Sequence, residues 1–215
     1  MRIQNINSTP KTIFGARALA KTQIKQQIPF TPFYKKVNAY FVELNSKDDI
    51  KSFYKYAQNY NKGPTTEAIA INLKMNPKHS KTYALTIQSD KFEHLEPEKI
   101  IGACDGTFIP SIYRPNGKFC VDNLEAQSKR NIMARHKTMD INLLGFRVKV
   151  PLKRKGIGTE LMKRLIEHLH GEPVDKVEIL SLPQAMPFYR TLNKWDNEQH
   201  CFTLERKNFL AFANN

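Results

Sequence analysis

Strand and helix patterns alternate in the last third of the chain, and this alternation limits the fold more than any other feature. Residues 140–150 read DINLLGFRVKV, an apolar run typical of a buried strand. After Gly156, apolar residues recur every three to four positions, as on the buried face of a helix. The elements that follow are a strand at 177–182, a helix at 183–192 and a strand at 200–205. This order predicts an α/β fold with helices packed on a sheet.

The first half of the chain shows shorter elements of both types. Residues 38–44 alternate like a strand, and Ser46 with Asp49 forms a capping box that begins a helix. Residues 69–75 fit a strand, with a short helix as the alternative. Further strands are predicted at 83–89 and from Glu98 onward. No run approaches the ~18 apolar residues that a membrane-spanning helix needs, so we expect no membrane span.

Two segments do not fit this alternation. Residues 1–36 are basic and are expected to form a flexible or peripheral arm, with no strand before residue 30 and with an organellar transit peptide as the alternative. Residues 37–215 then form one domain. Within it, the segment at about 110–138 is predicted to be an insertion or a substrate-facing lid, where Asp122 caps a short basic helix through His136.

The net charge of +14 indicates an anionic partner. Residues 1–42 hold seven of the 34 Lys and Arg residues and none of the 20 acids, so half of the excess is local. A ligand rich in phosphate, an acidic protein or a nucleic acid would satisfy this charge.

The cysteine and histidine residues predict neither a disulfide framework nor a metal site. The cysteines are odd in number and widely spaced, and the histidines lack metal-ligand spacing on one element. This cysteine usage indicates a reducing compartment and predicts a cytoplasmic protein, with organellar targeting by the leader as the alternative.

The loop before the helix at Gly156 carries three consecutive cations and two glycines in the string KRKGIG. No G-x-x-x-x-G-K-[ST] string exists, and a G-x-G-x-x-G fingerprint fails because its third glycine position is Leu161. The string does fit [QR]-x-x-G-x-[GA] at the start of a helix, with Lys153 first. Glycines let a phosphate approach the backbone, and the N–H groups of the first helical turn face the anion. The alternative is a solvated basic loop in which Gly156 only turns the chain.

The segment VKVPLKRKGIGTELMKRLIEHL resembles the acetyl-CoA-binding signature of the GCN5-related N-acetyltransferase (GNAT) family. Val148 falls on the signature valine, while Val150 replaces the usual proline, which lies one residue later as Pro151. Downstream, LPQAMPFYRTLNKW resembles the family's A-x-x-F-Y-x-x-x-G-F segment through three matching residues, Ala185, Phe188 and Tyr189. The resemblance implies a GNAT-like mixed, largely antiparallel sheet flanked by helices, with a basic N-terminal extension.

The resemblance also implies an N-acetyltransferase that uses acetyl-CoA as co-substrate and passes its acetyl group to a primary amine by direct attack. Backbone groups of the strand at Val148 and Val150 are expected to contact the pantetheine arm. The pyrophosphate is expected to bind the loop made of Lys153, Arg154, Lys155, Gly156, Ile157, Gly158 and Thr159.

Direct transfer requires deprotonation of the amine, stabilisation of an oxyanion and protonation of the leaving thiolate. Tyr189 matches the family tyrosine that faces the CoA sulfur, which makes it the expected acid; the alternative is a core aromatic beside Phe188. Asp140 lies on the strand that often supplies a glutamate base in this family. Asp105 on a neighbouring strand and deprotonation through water are the alternatives for the base.

A second function stays open. The fold could be kept without catalysis while its basic surface binds RNA or an acidic protein. The glycine loop and Tyr189 favour the enzyme, and no aromatic-rich RNA-binding signature accompanies the charge. Both functions can hold if the acceptor amine belongs to a macromolecule such as a protein. The acceptor could equally be a small molecule.

Overall fold

The fold is built on one large sheet. A computed structural model describes residues 17–28, 31–75, 80–87, 92–113, 115–126, 138–143, 146–151, 154–183, 185–192, 194–198 and 200–214. Its nine strands run in the order β10-β11-β9-β5-β4-β3-β2-β1-β8. Only β5 and β9 pair in parallel, and all the other neighbours are antiparallel. The predicted mixed, largely antiparallel sheet is therefore confirmed.

The strands of the large sheet are β1 (Arg17–Gln27), β2 (Tyr34–Glu43), β3 (Ser80–Ile87), β4 (Ile100–Ile109), β5 (Gly117–Ala126), β8 (Arg154–Lys155), β9 (Val174–Leu180), β10 (Asp196–Glu198) and β11 (Cys201–Glu205). A separate two-stranded sheet consists of β6 (Thr138–Leu143) and β7 (Phe146–Pro151). The α-helices are α1 (Lys47–Lys55), α2 (Pro64–Met75), α3 (Ile157–His170), α4 (Met186–Tyr189) and α5 (Phe209–Ala213). A π-helical turn, Tyr56–Tyr60, follows α1.

Each face of the sheet carries its own apolar core. Successive side chains of a strand point to opposite faces, so Phe41 packs in one core and Val42 in the other. The face with Phe41 is covered by α3 and α5, and the face with Val42 by α1 and α2. The long helix α3 buries Leu161 and Leu165 completely, so it is the principal cover of its face. Truncating either leucine to alanine is expected to cost ~2–5 kcal/mol of stability.

The expectation that no strand lies before residue 30 is wrong. The chain forms β1 from Arg17 to Gln27, where it pairs with β2 and β8. Its Ile24 is buried in the core beneath α3, and the Thr22 hydroxyl donates a hydrogen bond to the Glu160 carboxylate. The strand was missed because it lies near the sheet edge and contains one deeply buried apolar residue among polar ones, which gives little hydrophobic alternation. Residues 1–16 of the predicted arm lie outside the described residues.

Two further predictions need correction, and part of one lies outside the described residues. Residues 69–75 belong to helix α2 and not to a strand, because Ile69, Ala70 and Leu73 form one buried helical face while the intervening Ile71 is exposed. Asp122 does not cap a helix: it lies on β5 and accepts a hydrogen bond from the Thr107 hydroxyl at 2.8 Å. The remainder of that predicted helix, through residue 136, falls largely outside the described residues.

The predicted single strand at 140–150 is two strands. Residues 138–143 and 146–151 pair with each other in an antiparallel hairpin, with Leu143 opposite Phe146. Leu144 and Gly145 stand between them in the sequence, and a two-residue connection containing glycine is the commonest way to join hairpin strands. A glycine in the middle of an apolar run is a sequence signal that favours two strands over one. The strand that pairs with β9 is β5, which lies within the segment predicted to be an insertion.

Candidate functional site

The junction between β8 and α3 is centred on Gly156. This residue is the N-cap of α3 and has φ +75° and ψ 11°, the left-handed conformation that glycine adopts without strain. Its carbonyl oxygen accepts the hydrogen bond of the Glu160 N–H at 2.8 Å, which begins the helical ladder. The predicted start of the helix at Gly156 is thus confirmed, and the glycine is explained by its backbone angle.

The N-terminus of α3 has no side-chain cap. The N–H groups of Ile157, Gly158 and Thr159 precede the first residue that can donate within the helix, so they lack intrahelical acceptors. A Cβ atom at Gly156 would meet none of the described atoms within 4 Å, and the residue is exposed. Open space, N–H groups without acceptors in the helix and the positive end of the helix dipole together make this junction suited to an anion.

Gly158 is required for a different reason. A Cβ atom at this position would lie 3.0 and 3.1 Å from two ring carbons of Phe188 and 3.5 Å from the Cβ atom of Ala126. Its lack of a side chain therefore lets α3 approach α4 and the end of β5. The sequence pattern assigned both glycines to phosphate approach, but packing alone explains the second.

The parallel strands β5 and β9 separate beside this junction. Their pairing ends at Val121 opposite Ile179, although β5 continues to Ala126. Just beyond the last pair, Leu180 and Leu182 are 79% and 63% exposed. The end of β5, the first turn of α3 and these exposed leucines thus meet at the same end of the sheet, where an extended ligand with an anionic head and an apolar arm could lie.

Tyr189 lies at the end of α4, beside the same junction. It is buried, with ring centroids 5.0 Å from Phe188 and 5.3 Å from Phe202. Burial, with a smaller contribution from Cys104, raises the pKa of Tyr189 to about 12, so its hydroxyl stays protonated at neutral pH. Both sequence interpretations, a proton donor and a core aromatic, are compatible with this position.

The other predicted residues lie on β6, β7 and β8. Asp140 pairs with Lys149, and Val148 pairs with Ile141, so both stand in the β6–β7 hairpin rather than in the large sheet. Val150 pairs with Met139 in the same hairpin. Arg154 and Lys155 form β8 and pair with β1, immediately before Gly156. Lys153 lies outside the described residues.

Asp105 is the most unusual carboxyl group in the described chain. It is 1% exposed on β4 and accepts hydrogen bonds from the side-chain amides of Asn72 at 2.7 Å and Asn123 at 2.9 Å. Burial raises the pKa of Asp105, against the lowering effect of the two amides. Sequence reasoning gave Asp105 as an alternative base but did not predict its hydrogen bonds with the two asparagines. A charged residue inside the otherwise apolar string IIGACDG was the available signal.

Two cavities lie at the opposite end of the sheet from Gly156. One, of about 450 Å³, is bordered by Glu43, Tyr83 and His168 near the C-terminal end of α3. The other, of about 500 Å³, lies around Pro110 and Tyr113 near the start of β5. Neither is lined by the predicted cofactor loop.

In the part of the chain that the structure describes, no group of three or more His, Cys, Asp or Glu residues could hold a metal ion. None of its helices has the length and apolar character required to cross a bilayer.

Comparison with known proteins gives one family match. Residues 92–193 match the model of the acetyltransferase (GNAT) family. This range contains β4, β5, Gly156, α3 and Tyr189. No curated protein sequence matches the chain significantly.

Similar solved structures are distant. An aminoglycoside acetyltransferase from an uncultured soil metagenomic sample, in complex with sisomicin, is 14% identical, with 75% of this chain and 91% of that chain covered and a TM-score of 0.46. The catalytic domain of Tetrahymena GCN5 histone acetyltransferase in complex with coenzyme A is 12% identical, with coverages of 78% and 93% and a TM-score of 0.42. These likenesses are too remote to indicate a substrate or a partner.

Proposed function

Residues 92–193 are a GNAT-family segment, and from this premise we propose that the protein is an acyl-CoA-dependent N-acyltransferase. It transfers an acetyl group from acetyl-CoA to a primary amine by direct attack. The observation that carries the proposal is the uncapped start of α3 at Gly156, which lies within the matched segment and is open to an anion. The three free cysteines agree with work in a reducing compartment such as the cytoplasm.

The cofactor loop is proposed to run from Lys153 to Thr159. The N–H groups of Ile157, Gly158 and Thr159, which lack acceptors within the helix, bind the pyrophosphate oxygens at the positive end of α3. Lys153, Arg154 and Lys155 add positive charge immediately before them in the chain. Backbone groups at Val148 and Val150 contact the pantetheine arm.

Acetyl-CoA supplies a thioester that an amine can attack without any further activation of the acyl group. The amine nitrogen forms a bond to the carbonyl carbon, and the carbon–sulfur bond breaks. Tyr189 donates its hydroxyl proton to the departing sulfur, since its raised pKa means that the hydroxyl is protonated at neutral pH. The amine gives up its proton to Asp140, and that proton reaches the tyrosinate through water, so that both residues regain their starting protonation states. Asp140 is the proposed base, since it lies on the strand paired with the cofactor-binding strand.

The test is acetyl-CoA turnover with a panel of amines, peptides and ribosomal fractions, measured as release of the free CoA thiol. We expect thiol release above the rate without acceptor for at least one amine, and a product heavier by one acetyl group. CoA binding by calorimetry with no turnover on any acceptor would support a binding module instead. Absence of both binding and turnover would contradict the proposal.

A further inference from the structure

A cavity of about 450 Å³ lies beside the C-terminal end of α3, on the sheet face that this helix covers. Three of its lining residues form a row across neighbouring strands, since Arg17 pairs with Glu43 and Glu43 pairs with Tyr83. His168 of α3 lies against Tyr83, with ring centroids 5.5 Å apart. It follows Ile157 of the proposed cofactor loop by eleven residues, which is ~17 Å along the helix axis. The cavity is therefore separate from that loop, and it has the size of a small-molecule site.

Aromatic side chains line the inner part of this cavity. Tyr83 and Phe119 are each 2% exposed, and Phe108 is 37% exposed. The Tyr83 ring stacks on Phe41, with centroids 5.3 Å apart and 14° between the ring planes, so its position is fixed. A flat apolar group of a ligand can pack against these rings. The interior therefore favours a ligand with an aromatic body.

The Tyr83 hydroxyl is a polar group without a partner in this lining. Although the residue is buried, its hydroxyl forms no hydrogen bond with any described residue. Burial raises the pKa of Tyr83, and the carboxylates of Glu43 and Glu172 raise it further, so the hydroxyl is protonated at neutral pH. The His168 imidazole also forms no hydrogen bond within the described chain, and burial lowers its pKa, so it is neutral at pH 7. A ligand can therefore hydrogen-bond to both groups without breaking a bond between described residues.

Ion pairing leaves one cation and one anion available at the edge of the cavity. Lys81 pairs with Glu43 at 2.8 Å, so these two charges compensate each other. Arg17 and Glu172 also border the cavity and are exposed, and neither side chain forms an ion pair with any described residue. Their charges nevertheless reach the interior, since both act on His168. A ligand with both an ammonium and a carboxylate is attracted by both, whereas a ligand of one charge sign is attracted by one and repelled by the other.

We propose that this cavity binds a small zwitterion with an aromatic body, the chemical class of the aromatic amino acids. The carboxylate of the ligand faces Arg17, its ammonium faces Glu172, and its ring packs against Phe108 and Phe119. The Tyr83 hydroxyl forms a further hydrogen bond with the polar end of the ligand. No described residue of the cofactor loop lines the cavity, so the proposal does not rest on cofactor binding or catalysis.

The test measures binding by calorimetry with the full-length protein at pH 7, without acetyl-CoA, so that no acetyl transfer can occur. Three probes share one ring: L-phenylalanine carries both charges, 2-phenylethylamine lacks the carboxylate and 3-phenylpropionate lacks the ammonium. One ion pair at an exposed edge changes affinity by up to about five-fold. We therefore expect each analogue to bind about three- to five-fold more weakly than L-phenylalanine.

Each missing charge of a probe has a matching variant of the protein. Arg17→Gln should weaken L-phenylalanine binding about three- to five-fold but should not weaken binding of 2-phenylethylamine, which has no carboxylate. Glu172→Gln should weaken L-phenylalanine binding by a similar factor but should not weaken binding of 3-phenylpropionate, which has no ammonium. Tyr83→Phe retains the ring and should weaken L-phenylalanine binding about two- to ten-fold through the lost hydrogen bond.

The charge controls are Lys62→Gln and Glu67→Gln, which each remove one exposed charge beside or on α2, on the opposite face of the sheet. Neither should alter the affinity for L-phenylalanine. Losses in these controls equal to those in the cavity variants would mean that binding follows net charge, and would overturn the proposal. It is also overturned if L-phenylalanine does not bind, if either analogue binds as tightly, or if the cavity variants bind it like the wild type. Thermal unfolding of each variant checks that the fold is retained.

Discussion

Two helices of this protein begin in opposite ways. The N-terminus of α1 is closed by its own side chains: the Ser46 hydroxyl accepts from the Asp49 N–H at 3.1 Å, and the Asp49 carboxylate accepts from the N–H groups of Ser46 and Asn45. The N-terminus of α3 begins at Gly156 with no side-chain cap. A helix needs its first donors satisfied by something, so a closed end is structural and an open end is available to an anion. The comparison sets a helix end that its own cap stabilises against the helix end that we propose binds the cofactor.

The largest effect is expected for the chemistry beside the open end. Tyr189→Phe keeps the ring and its contacts with Phe188 and Phe202 but removes the transferable proton. Positioned acid catalysis is typically worth ~10²–10⁴ in rate, so kcat should fall by a factor in this range while CoA affinity stays nearly constant. Steady-state kinetics with an identified acceptor and calorimetry with CoA measure the two quantities. Wild-type kcat in this variant would leave Tyr189 as a core aromatic only.

The next effect concerns binding at the open end itself. Gly156→Glu places a negative side chain into the open space at the helix N-terminus, so CoA affinity measured by calorimetry should fall by about a hundred-fold. The matched control is Gly156→Asn, since asparagine tolerates the left-handed conformation and adds no charge. It should lose much less affinity. Unchanged binding by a folded Gly156→Glu variant would place the phosphate site elsewhere.

Gly158 should respond differently from Gly156, because packing explains it. Gly158→Val forces a branched side chain against Phe188 and is expected to lower the free energy of unfolding by ~1–3 kcal/mol. In the Phe188→Leu background the same substitution should cost less, because the smaller side chain leaves room. Denaturant unfolding of the four proteins gives this coupling. Full additivity of the two changes would show that the ring does not limit residue 158.

The capped N-terminus of α1 is expected to affect stability and not CoA binding. Ser46→Ala removes the cap of α1 and should lower the free energy of unfolding by ~1 kcal/mol, while Ser46→Asp should restore most of it. CoA affinity should not change in either variant. A marked loss of CoA affinity upon Ser46→Ala would mean that the two helix ends are not functionally separate.

The smallest effect concerns Asp105 and pH. Burial raises its pKa in the folded state above the unfolded value, so the folded protein holds this proton more tightly. Its contribution to stability is therefore present below the unfolded pKa and is lost as the pH rises through the folded pKa. Asp105→Asn removes the dependence, and the difference in unfolding free energy between variant and wild type should shift in favour of the variant as the pH rises from about 4. A pH-independent difference would contradict this.

Sequence reasoning succeeded where a local signal determines structure. The capping box at Ser46 and the glycine before α3 were both found, because each depends on residues within one turn. It failed for β1 and for the hairpin β6–β7, whose strands depend on distant or ambiguous partners. At the site, the pattern located the helix start at Gly156 but not the packing of Gly158, since the Phe188 ring that limits this position lies 30 residues later in the chain. The asparagines at Asp105 were invisible for the same reason.

The single parallel pairing of the sheet affects the order of assembly. Strands β1 to β5 form a meander of antiparallel neighbours, whereas β5 meets β9 only after the chain has passed through β8 and α3. During synthesis the meander is therefore complete before its partner strand exists. Until β9 emerges, β5 has one unpaired edge and exposes Phe119 and Val121, which are buried in the finished fold. We therefore expect this protein to be most prone to aggregation while the β5 edge is unpaired, before β9 completes the sheet.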